Sequence, residues 1–401
     1  MGKNIWIINQ YGGSRIHGMN FRSWYFANEM KKMGHNPHII SASFSHLYPQ
    51  LPEVTEKFQA ETVEGIDYTW VKVSKYKGSQ SIGRVLVMVQ FMLRLFFFPK
   101  KRLPKPDVII VSSLSPFPIL NAFFWSKKYK AKLVFEVRDI WPLSLIEIGG
   151  MSKYHPLTLF IGFFEKFAYR KSDKVISLLP KADEHMIARG MKPAKFVYVP
   201  NGFDPAEMEK QQDLSAEFKA HFPKDKFIVG YAGSIGAANS MEYFIAAAKI
   251  LESNEKILFV LVGKGQHKAE LMEKAGKNVV FLDPVNKDQV QAVLSLFDVC
   301  YIGWHNHSIY RFGISPNKIF DYMFAAKPII HSVNAGNDLV KDAHAGFSIE
   351  AENAEEIAQT ILTVSKLSKE ELEKLGKNGR LFVEKNHTYE CLTKKLLENI
   401  L

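Results

Sequence analysis

The chain has 401 residues, enough for two or three domains at roughly 100–200 residues each. Its 47% hydrophobic and 23% charged residues exclude collagen, coiled coil and wholesale disorder. Two cysteines, Cys300 and Cys391, exclude a disulfide framework and make a reducing cytoplasm the default, while 52 Lys+Arg against 41 Asp+Glu leave +11, which points to an anionic partner: nucleic acid, membrane surface or phosphorylated substrate.

In chain order, IWII (5–8) reads as a strand, and a turn-rich loop, NQYGGSRIHG, follows it. The opening MGKNIWIINQY lacks an apolar stretch of signal-peptide length, and no run of ~18 apolar residues is present. Met19 to Met33 reads as a helix stopped by Gly34. Strand candidates PHIIS (37–41), DVIIVSS (107–113), KLVFEV (132–137) and KVISL (174–178) are uniformly apolar, as in a parallel sheet covered on both faces. After VPNGFD (199–204) and a polar stretch, the alternation restarts. FIVGYAG (227–233), ILFVLVG (257–263), NVVFL (278–282), DVCYIG (298–303), KPIIHSV (327–333) and GFSIE (346–350) are its strands. Two α/β, Rossmann-like domains joined near residue 201 follow from this pattern, with a helical C-terminus. The expected boundaries are 1–200, 201–380 and 381–401.

The charge excess is local. Lys72, Lys75, Lys77, Arg84, Arg94, Lys100, Lys101, Arg102 and Lys105 fall in one stretch that holds no Asp or Glu. Its middle, RVLVMVQFMLRLFFF (84–98), is almost continuously apolar and too short to span a bilayer. Cations flanking such a run fit a segment lying in a membrane interface, with Phe96, Phe97 and Phe98 inserted and Arg84, Arg94, Lys100, Lys101 and Arg102 on anionic headgroups. The segment 75–105 is accordingly expected to dock on a membrane. The alternative is a buried helix followed by a solvated basic loop. Nucleic acid is disfavoured, because the aromatics are contiguous rather than interleaved with cations.

Two glycine-rich loops follow first strands, Gly12-Gly13-Ser14-Arg15-Ile16-His17-Gly18 and Gly233-Ser234-Ile235-Gly236. Each is either an anion cradle at a helix N-terminus or a plain tight turn. Neither is a GxGxxG fingerprint, and no P-loop occurs. The stretch SIYRFGISPNKIFDYMFAAKPII (308–330) says more. Ser315 is expected to cap a helix with Pro316 first, placing Asn317, Lys318 and Asp321 in its opening turns after Arg311. Lys318 and the free N–H groups suit a diphosphate, and Asp321 suits the hydroxyls of a ribose. The alternative is a capped helix with an exposed Lys–Asp pair. His305 and His307 lack a third ligand, so no metal is expected. Cys300 reads as core. Loop polarity accounts for His17 and Asn20 about as well as a role facing sugar or acceptor.

VPNGFD (199–204), YAGS (231–234), LVGKGQHKAEL (261–271) and SPNKIFDYMFAAKPII (315–330), together with GMNFRSWYFANEMKKMGH (18–35) and VFEVRDIWPLSL (134–145), resemble the family 4 retaining glycosyltransferases. The RDxWP segment resembles their bacterial capsule and O-antigen polysaccharide assembly branch. The resemblance implies a GT-B fold: two facing Rossmann-like domains, the active site in their cleft, and a C-terminal helix crossing back to the first. It assigns the donor nucleotide and diphosphate to Gly12, Gly13, Gly233, Ser234, Gly263, Arg311, Gly313, Ile314, Ser315, Asn317, Lys318 and Asp321. It sets Arg138 and Asp139 where relatives have a His-Asp pair and so assigns them to catalysis, the alternative being a buried structural pair that shapes the cleft; His17, beside the first loop, is the third catalytic candidate. Asp321 stands where the family has Glu, Gly313 where it has the first Glu of an acidic pair, and Ser234 and Ala237–Asn239 where many relatives have Arg and Lys. Arg311 and Lys318 are then the expected cations.

By the same resemblance, the chemistry is metal-independent hexosyl or N-acetylhexosaminyl transfer with retention, with no cofactor. The donor is a nucleotide sugar, on family habit a UDP-sugar. The acceptor is a lipid-linked, undecaprenyl-diphosphate saccharide at the inner face of the cell membrane, the protein being cytoplasmic and peripheral. A sugar-nucleotide epimerase of the same fold and a non-catalytic sugar- or membrane-binding scaffold are the alternatives.

Overall fold

The structure, a computed structural model, describes residues 2–18, 21–78 and 81–401. Met19, Asn20, Ser79 and Gln80 lie outside it, and with them one end of the expected first helix, the residue Asn20 and two positions of the 75–105 segment. The chain forms two compact units, Met1–Asn201 with Tyr389–Leu401, and Gly202–Thr388. Each is described by itself.

The first unit runs β1 (Asn4–Ile8), α1 (Arg22–Lys32), β2 (Asn36–Ala42), β3 (Phe58–Val63), β4 (Ile66–Val71), α2 (Ile82–Leu95), β5 (Val108–Ser112), α3 (Ile119–Tyr129), β6 (Lys132–Val137), α4 (Leu143–Glu147), α5 (Pro156–Lys171), β7 (Lys174–Ser177), α6 (Ala182–Ala188) and β8 (Phe196–Tyr198). Its described strands form one sheet in the order β3-β4-β2-β1-β5-β6-β7-β8. All pairs are parallel except β3–β4. The apolar runs legible in the sequence became the buried central strands, as β-branched side chains covered on both faces require. The β3–β4 pair is an addition. FQAETV is largely exposed at the sheet edge, so it carries no apolar run to betray it.

Two faces cover this sheet. Ile5 and Ile7 pack in one core with Trp24, Phe26, Met30, Leu392 and Leu396. There the last helix, Tyr389–Ile400, closes over α1, with Tyr389 stacked on Tyr25 at 4.4 Å. On the other face Trp6 meets Phe98, Trp125 and Tyr129 edge-on at 6.2, 5.7 and 5.9 Å.

The second unit continues with α7 (Pro205–Met208), α8 (Ala216–Lys219), β9 (Phe227–Ala232), α9 (Met241–Ile250), β10 (Ile257–Val262), α10 (Lys268–Lys274), β11 (Val279–Leu282), α11 (Val290–Ser295), β12 (Val299–Gly303), α12 (Asn317–Phe324), β13 (Ile329–Ser332), α13 (Leu339–Asp342), β14 (Gly346–Ile349), α14 (Ala354–Val364) and α15 (Lys369–Asn386). Its sheet is all parallel, in the order β11-β10-β9-β12-β13-β14. A parallel sheet wound to both sides of its first strand leaves a crevice beyond the strands' carboxyl ends, the usual ligand position in such folds. α15 is sharply started by a capping box, Ser368 with Glu371.

Candidate functional site

In the second unit the ends of β9 and β10 and the start of α12 meet. Lys318 Nζ donates to the Tyr231 hydroxyl at 2.6 Å and to Asn239 Oδ1 at 2.7 Å, and lies 4.3 Å over the Tyr231 ring. Tyr231 passes the chain on to Ser234 O at 2.5 Å, and Asn239 Nδ2 reaches the same carbonyl at 3.0 Å. One turn along α12, the Tyr322 hydroxyl accepts from Ala232 N–H at 2.8 Å and donates to Ala232 O at 3.0 Å. It replaces a strand partner at the end of β9. A Cβ on Gly263 would lie 1.9 Å from Gly233 O, at φ +157°, so only glycine lets the loops after β9 and β10 touch.

The electrostatics are poised. Loss of water around the Lys318 ammonium pushes it down to about 7, with Asp321 opposing. The same loss pushes the Asp321 carboxyl up to about 7, against the pull of Lys287 and Lys318. The Lys–Asp pair of the alternative reading is not formed, for among the described residues no ion pair joins Lys318 to Asp321. Lys318 turns instead to the β9 loop, and Gln291 Nε2 holds the Asp321 carbonyl at 3.1 Å.

The helix also begins one residue later than the sequence suggested. Pro316 is its N-cap, which carries no side-chain hydrogen bond, and Asn317 is its exposed first residue. Ser315, expected as the cap, therefore precedes the cap in the chain. Proline removes a donor that had no intrahelical partner, and the N–H groups of Asn317, Lys318 and Ile319 remain at the terminus. Before them Gly313 adopts φ +106° at the end of the Ser308–Phe312 turn. Asn337 clasps Ile314 from both sides, accepting from its N–H at 2.7 Å and donating to its carbonyl at 3.1 Å. Gly336 N–H binds Tyr310 O at 2.8 Å. Arg311 is exposed, its guanidinium 4.2 Å over Phe312 and bonded to Ser308 O at 2.6 Å. His305 lies between Glu242 (3.2 Å) and Glu352 (2.6 Å), and Cys300 is buried in β12.

The first unit gathers charge beyond the carboxyl ends of β1, β5 and β6. Gly12 and Gly13 close a tight turn just after β1, their N–H groups bonding Asn9 O and Tyr11 O. Ser14 Oγ meets His17 Nδ1 at 2.7 Å, and the His17 ring packs edge-on at 5.0 Å against Trp70. His17 is 4% exposed, and burial pushes its pKa down, so it braces the loop as a neutral ring. Arg84 points inward too. Its Nε donates to the Tyr11 hydroxyl at 3.0 Å, and its guanidinium lies over Tyr11 and Trp141 at 5.3 and 5.5 Å. Its expected place on lipid headgroups is thereby corrected. Phe98 is corrected likewise, being 3% exposed among Trp6, Phe58 and Trp125. Phe96 and Phe97 are exposed at the end of α2, 45% and 71%. Lys101 and Arg102 are exposed beside them. Lys100 is half-buried, 5.3 Å over the Trp125 ring, and Arg94 bonds the Lys72 carbonyl.

Sequence reasoning missed the pivot of this region. Glu136, 6% exposed, accepts from Arg22 Nε at 2.9 Å and from Ser112 Oγ at 2.7 Å. Burial raises its pKa, but the Arg22 and Arg138 charges and these hydrogen bonds outweigh it and leave the carboxyl below its usual range. Arg22 also binds Val199 O at 2.7 Å and Pro200 O at 2.5 Å. Arg138 is half-buried near Glu136, its own N–H on Ser113 Oγ at 3.0 Å. Asp139 accepts from Ser144 Oγ at 2.8 Å. A glutamate inside an apolar strand two residues before an arginine was the available signal, since a charge buried there needs a partner.

Two family models match. Residues 17–202 match a glycosyl transferase 4-like domain, and residues 226–366 match the glycosyl transferases group 1. The chain is 25% identical over 284 residues to a putative colanic acid biosynthesis glycosyl transferase, WcaI, of Escherichia coli K12, covering 67% of this chain and 68% of that protein. It superposes on the sucrose-phosphate synthase of Thermosynechococcus elongatus with a TM-score of 0.73 at 15% identity, over 99% of this chain and 98% of that one. HepE of Anabaena, in complex with UDP-glucose, gives a TM-score of 0.63 at 13% identity with the same coverage. The chain has the GT-B fold and carries, in order, the two domains of a glycosyltransferase.

Proposed function

We propose that the protein transfers a hexosyl or N-acetylhexosaminyl group from a UDP-sugar, with retention and without a metal, to a lipid-linked saccharide acceptor in surface polysaccharide assembly. The observation that carries the donor half is the Lys318 cluster: a cation, a helix N-terminus and two touching glycine loops within one unit. A nucleoside diphosphate needs this combination, charge neutralisation plus N–H donors without Cβ obstruction. Asp321 receives the ribose hydroxyls, and the Gly313–Ile314 backbone, clasped by Asn337, lines the sugar. That HepE is seen with UDP-glucose supports uridine as the base.

In the step itself the anomeric C–O bond to the diphosphate breaks and a new C–O bond to the acceptor forms on the same face. The acceptor hydroxyl's proton passes to the leaving diphosphate. Lys318 and the α12 terminus stabilise the growing charge on that diphosphate, so no protein carboxylate has to act as nucleophile. On the first unit, Arg138 and Asp139 stand for the acceptor side, where the relative's role in colanic acid biosynthesis supports a polysaccharide product. Docking at an anionic membrane is assigned to the exposed Phe96 and Phe97 with Lys101 and Arg102.

The test is a panel of UDP and GDP sugars against the unaltered chain and Lys318→Ala, by calorimetry. UDP-sugar binding weakened about 10–100-fold by the substitution is expected, the range for a charge-assisted hydrogen bond. Equal affinity in both proteins overturns the assignment, and an inverted anomer in the product overturns retention.

A further inference from the structure

α5 presents an outward stripe that the fold does not use. Leu159, Phe160 and Phe163 are 59%, 42% and 60% exposed, at helical spacing. Phe124 of α3 is 58% exposed beside them in the same unit. The rings are continuous: Phe123 meets Phe167 at 5.3 Å, Phe167 lies 6.5 Å from Phe163, and Phe163 touches Phe164 at 5.5 Å. Several exposed aromatics on one face are rare on a monomer's surface and mark an interaction site.

Charge selects the partner. Between Lys153 and Lys171 the sole carboxylate is Glu165, and it is turned inward, 2.6 Å from His185 Nε2 and 3.1 Å from Arg189 Nε. The exposed charges on α5 are Lys166, Arg170 and Lys171, and on α3 Lys127 and Lys128, with Lys130 just after it. A groove of about 330 Å³ opens beside the stripe between α4 and α5, walled by Pro142, Leu143, Ile146, Leu159 and Phe163 with Lys166 at its rim. Exposed rings and cations, with no exposed acid on α3 or α5, make the composition of an interfacial helix.

We propose that the outward face of α5, with Phe124 of α3, is a second bilayer-docking surface that inserts its rings into an anionic membrane and sets its lysines on the headgroups. It is separate in sequence from the α2 end, and α3 bridges the two, since Lys100 lies over Trp125 of that helix. The inference rests on the reading of a membrane-bound enzyme only in placing the protein at a bilayer.

The experiment is co-sedimentation of the full chain with phosphatidylglycerol-containing and with pure phosphatidylcholine vesicles. The proteins compared are the unaltered chain, Leu159→Ser/Phe160→Ser/Phe163→Ser, Phe163→Ser alone, and Phe96→Ser/Phe97→Ser. The triple variant is expected to lose about tenfold or more in affinity for anionic vesicles, the single variant less. An unfolding transition of the first unit at the unaltered temperature, read by calorimetry, shows that each variant is folded. If the triple variant binds anionic vesicles as the unaltered chain does while the α2 variant is released, the inference fails and the membrane reading stands. If no protein binds any vesicle, both fail. If the unaltered chain sediments as a dimer and the triple variant as a monomer, a second copy covers the face and the proposal is overturned.

Discussion

The two units repeat one architecture and spend their surfaces differently. Among the described residues, every exposed aromatic of the large-hydrophobic class, Phe96, Phe97, Phe124, Tyr154, Phe160 and Phe163, belongs to the first unit. The second exposes only Ile250, Met272 and Leu381 of that class, and its unusual feature is internal: an amine and a carboxyl both moved to about 7. The difference teaches that the shared βα repeat fixes where helices and loops lie, while the side chains on them divide the labour. Under the proposed function, one unit meets an extended surface and the other holds a small anion.

Three experiments test that division, from the largest effect down. Glu136→Ala leaves Arg22 without its buried partner, which costs about 3–5 kcal/mol. Calorimetry should show the first unit's transition falling sharply while UDP-sugar still shifts the second. A fall in both would mean that the units are not separate in stability. Next, Phe98→Ser should destabilise by about 3 kcal/mol, because it empties a buried aromatic cluster, whereas Phe97→Ser should change vesicle affinity and leave stability within about 0.5 kcal/mol. Equal denaturation midpoints for the two variants would contradict the burial difference.

The smallest effect is a proton. Lys318 has its pKa lowered to about 7, so at about pH 8 it is mostly neutral in the free protein. In the unfolded chain it would be charged, so it withdraws stability as pH falls toward 7. A bound diphosphate raises its pKa, so binding at about pH 8 should take up close to one proton, and Lys318→Ala should abolish the uptake. Titration calorimetry in buffers of different ionisation enthalpy measures this directly. Absence of proton uptake on binding would show that Lys318 is not neutral in the free protein.

Much of the fold was legible because burial on both faces writes itself as uninterrupted apolar runs, as in VIIVS and ILFVLV. The β3–β4 hairpin was not, since FQAETV mixes polar with apolar residues and sits at an edge. Of the site, SPNK announced Lys318 and Asp321 because a helix start is a local signal. Tyr231 and Asn239, 87 and 79 residues before Lys318, and Asn337, 23 residues after Ile314, were silent. Their roles come from meeting across the sheet, and no local spacing encodes that. Arg84 and Phe98 were misplaced for a related reason. Composition reports that a segment is basic and apolar, but only packing decides which of its side chains face Tyr11 or Trp6.

The Arg22 clasp carries one further consequence. The same guanidinium that neutralises Glu136 holds the carbonyls of Val199 and Pro200, the last stretch before the chain leaves the first unit. Its side chain is 2% exposed, which puts it out of reach of dissolved ions that screen surface charges. A proton is the one small ion able to undo it, by neutralising Glu136. Because that carboxyl is held below its usual range, the clasp is intact above ordinary carboxylate pKa values and loosens as pH falls through the lowered one. The way out of the first unit is therefore anchored against salt and released only by acid.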